Sequence, residues 1–240
     1  MIKAELVVTT TQAAIAAEQA GASRIELCQH LEVGGITPSI GLVQSVCDHV
    51  EFPVHVLIRC RRGNFCYNQH EVGEMVRDVR AVVEAGADAI VIGALTSSHE
   101  VDAEAMQRFL DAADGCPITF HRAFDVAADP YRAFDAIAQL GMNRILTSGQ
   151  QATAPEGSAL IAELVKRAGE QLTILPGSGI NAGNVAQLVQ QTGASEVHFS
   201  AVKRVPQQAA EVAMGNGSPE ESTIEVFDAE KAQAVFQALS

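Results

Sequence analysis

Positive charge is scarce in this 240-residue chain: 16 lysines and arginines stand against 29 acidic residues, for a net charge of −13. Binding a polyanion or an anionic bilayer needs a dense cationic surface, so the composition excludes nucleic acid and membrane as partners. No apolar run approaches the roughly 20 residues that span a bilayer. The opening stretch, Met1-Ile2-Lys3-Ala4-Glu5, does not have the layout of a signal peptide. A C-x-x-C pair is also missing. Cys28, Cys47, Cys60, Cys66 and Cys116 are odd in number and scattered, which points to reduced thiols rather than a disulfide framework or a zinc site. A cytoplasmic protein is expected. Overall acidity leaves room for a local cationic pocket that takes a small anion.

What is present is core material and a beat. Hydrophobic residues make up 48% and the mean hydropathy is +0.12. Strand patterns fall at about 2–8, 24–28, 54–60, 88–93, 117–121, 143–147, 172–176 and 195–200. Helical patterns follow at about 11–20, 38–49, 70–85, 102–113, 129–140, 156–168 and 183–191, several stopped by a glycine such as Gly21, Gly86, Gly141 or Gly193. Strands alternating with helices imply parallel strands joined by right-handed crossovers. Eight such units in this length imply one α/β domain over residues 1–240, a closed (β/α)8 (TIM) barrel. An open doubly wound sheet would show a glycine-rich first turn, and Val8-Thr9-Thr10-Thr11 has none. The last unit is delayed by a Pro/Gly/Ser-rich variable loop at about 205–225, before a C-terminal helix at about 228–239.

Several strands carry charge on one face. Successive side chains of a strand point to opposite sides. Thr119 and His121 therefore oppose Ile118 and Phe120; Arg24, Glu26 and Cys28 oppose Ile25 and Leu27; His55, Leu57 and Arg59 oppose Val54, Val56 and Ile58; Glu196, His198 and Ser200 oppose Val197 and Phe199. With the apolar faces under helices, the polar faces converge inside the barrel. Branched aliphatics normally fill that space. Glu5, Glu26, Arg59, His121, Glu196 and His198 are thus expected near the carboxyl ends of their strands, where sites in this fold are built.

Each candidate has a chemical and a structural reading. Glu5 and Glu26 form a carboxylate pole for a hard divalent cation or for acid/base work, or they neutralise Arg24, Arg59 or Arg122. His121 and His198 serve as general base or metal ligand, or as hydrogen-bonded structure; His30, His49, His70 and His99 fall in loops or helices and are expected in solvent. Arg59, Arg61, Arg62 and Arg122 gather at two strand ends and suit a carboxylate or phosphate, or salt bridges to the glutamates. Thr147-Ser148-Gly149-Gln150, Gly177-Ser178-Gly179 and the stretch from Ser200 follow strands six, seven and eight. In barrels such loops offer phosphate their backbone N–H groups, though glycine also serves tight turns. Cys28 alone among the thiols faces inward, as a soft metal ligand or a buried reduced thiol.

Taken together, Glu26-Leu27-Cys28, Gly34-Gly35-Ile36-Thr37-Pro38-Ser39, Arg59 through Gly63 with Phe65, His121-Arg122-Ala123-Phe124-Asp125, Leu146-Thr147-Ser148-Gly149, Gly177-Ser178-Gly179 and Glu196-Val197-His198 resemble the CutC family over residues 1 to about 201. The resemblance implies a (β/α)8 barrel, a cytoplasmic homo-oligomer of two or more chains, and a role in copper homeostasis with copper as a ligand. It carries onto Glu5, Glu26, Cys28, Arg59, His121, Arg122, Asp125, Ser148 and His198. Where relatives read Arg-Pro-Arg-x-Gly-Asp-Phe, this chain has Arg59-Cys60-Arg61-Arg62-Gly63-Asn64-Phe65, which weakens the case for a cation at that loop.

Two functions are expected to compete. One is an enzyme of isomerase, lyase or hydrolase type on a small anionic or phosphorylated sugar-like substrate, with or without a divalent metal. Its catalytic set is Glu26, His121, Arg122, Asp125 and His198, and its anion contacts are Glu5, Arg59, Arg61, Ser148, Gly149, Gly177, Gly179 and Ser200. The other is a copper-binding homeostasis protein that uses Cys28 with a neighbouring thiol or histidine.

Overall fold

The computed structural model describes residues 2–207 and 223–239. Eight strands, β1 (Lys3–Val8), β2 (Arg24–Leu27), β3 (Val54–Leu57), β4 (Ala89–Ile92), β5 (Ile118–Phe120), β6 (Arg144–Thr147), β7 (Thr173–Pro176) and β8 (Glu196–Ser200), each pair in parallel with the next as far as β7. The last strand returns to the first, with register running from Lys3–Glu196 to Val7–Ser200. A single parallel bridge between Gly177 and His198 joins β7 to β8. The result is a (β/α)8 barrel whose β7–β8 seam is its most lightly laced edge.

Local chemistry sets the helices between strands: α1 (Thr11–Gln19), α2 (Ile40–Cys47), α3 (Gln69–Glu84), α4 (Ala103–Ala113), α5 (Pro130–Gln139), α6 (Ser158–Ala168) and α7 (Val185–Thr192). The Thr10, Ser39, Asp102 and Asp129 side chains accept backbone N–H groups that a first helical turn leaves without partners. Asn68 and Glu71 make a reciprocal capping box on α3. Gly86 and Gly193, at φ of +97° and +69°, turn the chain out of α3 and α7 in the left-handed region that glycine adopts without strain. None of the described helices is long and apolar enough to cross a membrane.

The outer faces of the strands, among them Leu6, Ile25, Val56, Ile90, Phe120, Ile145 and Val197, are buried with helix residues in one continuous core. The inner face is unlike an aliphatic filling. Near its amino-terminal end, Arg24 donates from Nε to Glu5 and from Nη2 to Glu196 Oε2 at 2.6 Å, and Arg144 Nε reaches the same Glu196 oxygen at 3.1 Å. Glu196 was expected toward the carboxyl ends of the strands. It is instead the first residue of β8, and Arg24 and Arg144 begin their own strands, so this carboxylate belongs to the barrel floor.

Beyond β8 the chain departs from the expected beat. An antiparallel ribbon of β9 (Val202–Pro206) and β10 (Thr223–Phe227) precedes α8 (Ala229–Ala238), so the ends of the stretch read as a variable loop are strands. Residues 208–222 of that stretch lie outside the described residues. Charged Lys203 and Arg204 and a terminal proline disguised β9, whose pairing is with residues far along the chain.

Removing the Arg24 guanidinium leaves two buried carboxylates facing each other. Arg24→Met should therefore cost on the order of 3–5 kcal/mol, read as a lowered urea midpoint at pH 7.

Candidate active site at the barrel mouth

At the carboxyl ends of the strands the barrel opens into a cavity of about 410 Å³. Its walls include Glu26, Arg59, His121, Arg122, His198 and Ser200, with Phe65, Leu57, Leu146 and Phe199 as the apolar complement. Strand geometry brings the first group together. Glu26, His121 and His198 belong to or directly follow β2, β5 and β8, and each is more than nine-tenths buried.

Their electrostatic states differ sharply because their neighbours do. Burial pushes up the Glu5 carboxyl, but the His198 hydrogen bond, His55 and the Arg24 charge overcome it and hold the group well below the usual carboxylate range. His198 Nδ1 lies 2.7 Å from Glu5 Oε1, and His55 Nδ1 lies 3.1 Å from Oε2 as a charge contact without hydrogen-bond alignment. Burial opposes the charging of His198, yet Glu26 and Glu5 together raise its pKa. Glu26 has no such strong partner. Burial pushes it up to about 7, with the His198 and Arg24 charges only partly offsetting burial and the adjacent Glu5. Its Oε2 is buried and has no hydrogen-bond partner.

His121 is in the opposite condition. Burial and the Arg59 charge push its pKa down to about 3, so the ring is neutral at physiological pH. Nδ1 accepts the Ala123 N–H at 3.2 Å, which puts the imidazole proton on Nε2. That Nε2 is buried without a partner. The ring fits only because residue 93 is glycine: a Cβ there would meet Nδ1 at 2.7 Å. His121 was expected as a base or a ligand, and this geometry leaves it a neutral ring with an unpartnered N–H donor on a residue that lines the cavity.

The arginines act differently from the expected anion clamp. Arg59 donates from Nη1 to the carbonyls of Val33 and Gly35 at 3.0 and 2.9 Å and from Nη2 to that of Gly63 at 2.9 Å, while its buried Nε has no partner. Its guanidinium lies 5.1 Å from the centre of the Phe65 ring. Arg61 is absent from the cavity wall and grips Glu71 at 2.5 Å together with the Asn64 and Cys66 carbonyls, fastening its loop to α3. Arg122 lines the cavity but binds Asp125 Oδ2 at 2.7 Å and Ser148 Oγ at 2.9 Å.

The remaining sequence candidates divide between wall and scaffold. Asp125 accepts from the Thr147 hydroxyl at 2.5 Å and the Ser148 N–H at 2.9 Å, so it ties the β6 end to the turn after β5. Ser148 is fully buried between Asp125 and the Gln151 carbonyl. The Gly149 N–H is bound to Thr147 Oγ1, and the Gly177 N–H to the Thr147 carbonyl. Asp125, Ser148, Gly149 and Gly177 thus hold the rim and do not line the cavity. Gly179 and Ser200 do line it, and Glu5 sits beneath it behind His198. Phe65, whose ring packs against both Arg59 and His121, received no role from the sequence; only its place between two polar strand ends hinted at one.

Glu5, Glu26 and His198 bring ligand atoms within 4.8 Å of one another. Both Glu5 oxygens and His198 Nδ1 are already engaged with each other or with Arg24 and His55, so the trio is an ion network and not a ready cage. Cys28 packs with Val7, Leu57, Val91 and Leu31, and burial together with nearby carboxylates pushes its thiol up.

The sequence model of the CutC family matches residues 2–203. The chain belongs to the CutC family. A family protein CutC of Pasteurella multocida is 41% identical over 227 residues, 93% of each chain. One from Xanthomonas campestris pv. campestris is 45% identical over 197 residues, 82% of each chain. The crystal structure of CutC from Streptococcus agalactiae superposes with a TM-score of 0.79 at 36% identity, covering 83% of this chain and 98% of that one. The CutC-family match ends at the start of the β9–β10 ribbon, which this chain carries beside the mouth.

A buried acid raised from its ordinary 4.5 to about 7 makes stability depend on pH. The unfolded chain ionises Glu26 near pH 4.5 and the folded chain near 7, so wild type loses stability as pH rises through that window. Glu26→Gln should leave the melting temperature near pH 4 unchanged and stabilise the fold at pH 8 by on the order of 3 kcal/mol.

Proposed function

We propose that this CutC-family chain is a small-molecule enzyme whose barrel mouth binds a compact anionic ligand and moves a proton on it through Glu26. One observation carries the reading: a buried carboxyl pushed up to about 7, with an unpartnered oxygen, belongs to a residue in the wall of the mouth cavity. General acid/base work is most efficient when the catalytic pKa lies near the working pH. Perturbed groups in a cleft mark functional sites for that reason.

The charge balance supports an anionic ligand. Arg59, Arg122 and His198, whose pKa Glu26 and Glu5 raise, line the cavity, while the negative charge of Glu5 is matched beneath it by Arg24. A protein of net charge −13 thus keeps a locally cationic mouth. Gly179 and Ser200 at the rim are the anion contacts we retain from the loops after β7 and β8. Five free cysteines and the family resemblance support a cytoplasmic homo-oligomer as its working form.

The copper reading draws on the name of the Streptococcus agalactiae relative, a copper homeostasis protein. The donors at this mouth, carboxylate, imidazole and guanidinium, do not favour it.

Two measurements test the proposal. Small carboxylates and phosphate esters should raise the melting temperature, with the shift lost in Arg59→Ala and altered in Glu26→Gln. A flat response across such a panel refutes the anionic ligand. In a Cu(I) competition titration of reduced protein, wild type and Cys28→Ser should bind alike and weakly; tight stoichiometric binding abolished by Cys28→Ser would restore copper as the ligand.

A further inference from the structure

Two of the unpartnered polar atoms among the described residues are hydrogen-bond donors on side chains that line the cavity. His121 Nε2–H and Arg59 Nε–H are both buried without an acceptor, although the rest of each side chain is fastened. Phe65 packs against both, 4.9 Å from the His121 ring centre and 5.1 Å from the Arg59 guanidinium carbon, so both side chains lie beside one aromatic ring. A buried donor without an acceptor costs about 1–3 kcal/mol, and neither side chain can turn away to find one. His121 is fixed by the Ala123 N–H and by the tight fit over Gly93, and Arg59 by three loop carbonyls. A ligand in the cavity that both residues line can supply that acceptor.

We propose that it is the carbonyl oxygen of a ketose, hydroxyketone or 2-oxo acid, held by His121 Nε2–H and Arg59 Nε–H while Glu26 takes a proton from the neighbouring carbon. This rests on the acid/base reading of Glu26 given above. A carbonyl oxygen offers two in-plane lone pairs to two N–H donors, whereas a phosphate would call on the guanidinium edge that Arg59 has already committed to the loops. In the step, the Glu26 carboxylate accepts the α-proton and becomes the acid. The C–H electron pair becomes a C=C bond, and the carbonyl π pair moves onto oxygen as an enolate. The two donors then face the charge that develops there, as preorganised dipoles in a water-poor site. Return of the proton from Glu26 to the same carbon regenerates the carboxylate and the carbonyl, with solvent deuterium entering when the acid has exchanged. Neutral imidazole used as an electrophile in a barrel enzyme has precedent in triosephosphate isomerase, which is the handling of a carbonyl by an uncharged ring.

Enolisation can be read without knowing the final product. Hydroxyacetone, dihydroxyacetone phosphate and pyruvate are incubated with the protein in D2O, and loss of the α-C–H signal is followed by proton NMR against buffer alone. We expect exchange of at least one probe, abolished in Glu26→Gln, reduced about 10²–10³-fold in kcat with a smaller change in KM in His121→Ala, and partly restored in His121→Gln, which keeps an N–H donor. Exchange that survives Glu26→Gln overturns the acid/base reading and this inference with it. Exchange that needs Glu26 but is indifferent to His121→Ala overturns the carbonyl cradle alone. Should the variants fail to fold, the His121 Nε2–H resonance of 15N-labelled wild type should shift on addition of oxalate, a planar enolate mimic. No such shift, with no exchange of any probe, refutes the carbonyl class, while the anionic ligand stands or falls separately on the melting-temperature panel.

Discussion

Arg24 sits inside the barrel between two carboxylates, and the electrostatics of the mouth depend on it. Its guanidinium binds Glu5 on one side and Glu196 on the other, all three side chains being nearly inaccessible to water. A carboxylate so placed would otherwise protonate, since burial without a partner penalises the charged form by several kcal/mol. The His198 hydrogen bond, His55 and the Arg24 charge together keep Glu5 ionised, Glu26 and Glu5 push His198 toward its charged form, and His198 in turn moderates the rise of Glu26. The floor of the barrel thereby sets the protonation of its rim.

Burial acts on every group at this site, and partners decide the outcome. Glu5 and Glu26 occupy neighbouring strands and are equally out of water, yet one is firmly anionic and the other titrates near neutrality, because only Glu5 has a guanidinium and an imidazole on its oxygens. His198 and His121 form a second contrasted pair, one pushed toward its charged form beside carboxylates and one neutral beside an arginine. Pairs of like groups driven apart in this way are how one scaffold supplies an acid, a base and an uncharged donor at a single pH.

The arginines of the rim work mainly as fasteners. Arg59 ties the loops around Gly35 and Gly63, Arg61 ties its own loop to Glu71, and Arg122 closes a cluster with Asp125 and Ser148. Guanidinium suits this because its planar fork serves several carbonyls at once. The consequence is a mouth whose shape is held by charge-assisted hydrogen bonds, with a few donors left facing inward.

The residues alone disclosed the barrel, the faces of its strands and the meeting of Glu26, Arg59, His121 and His198, because strand alternation and helix capping are local and depend on neighbours only a few positions away. They also showed CutC-like motifs in order. They could not show that Glu196 lies at the floor, that Asp125, Ser148 and Gly149 brace the rim, or that the chain past β8 returns as a ribbon. Nor could they assign protonation. His198 and Glu5 are 193 positions apart and meet only when β8 closes on β1, and desolvation exists only once the barrel has shut. Charge state is a property of that closure, and so the chemistry of the site was decided by the tertiary structure.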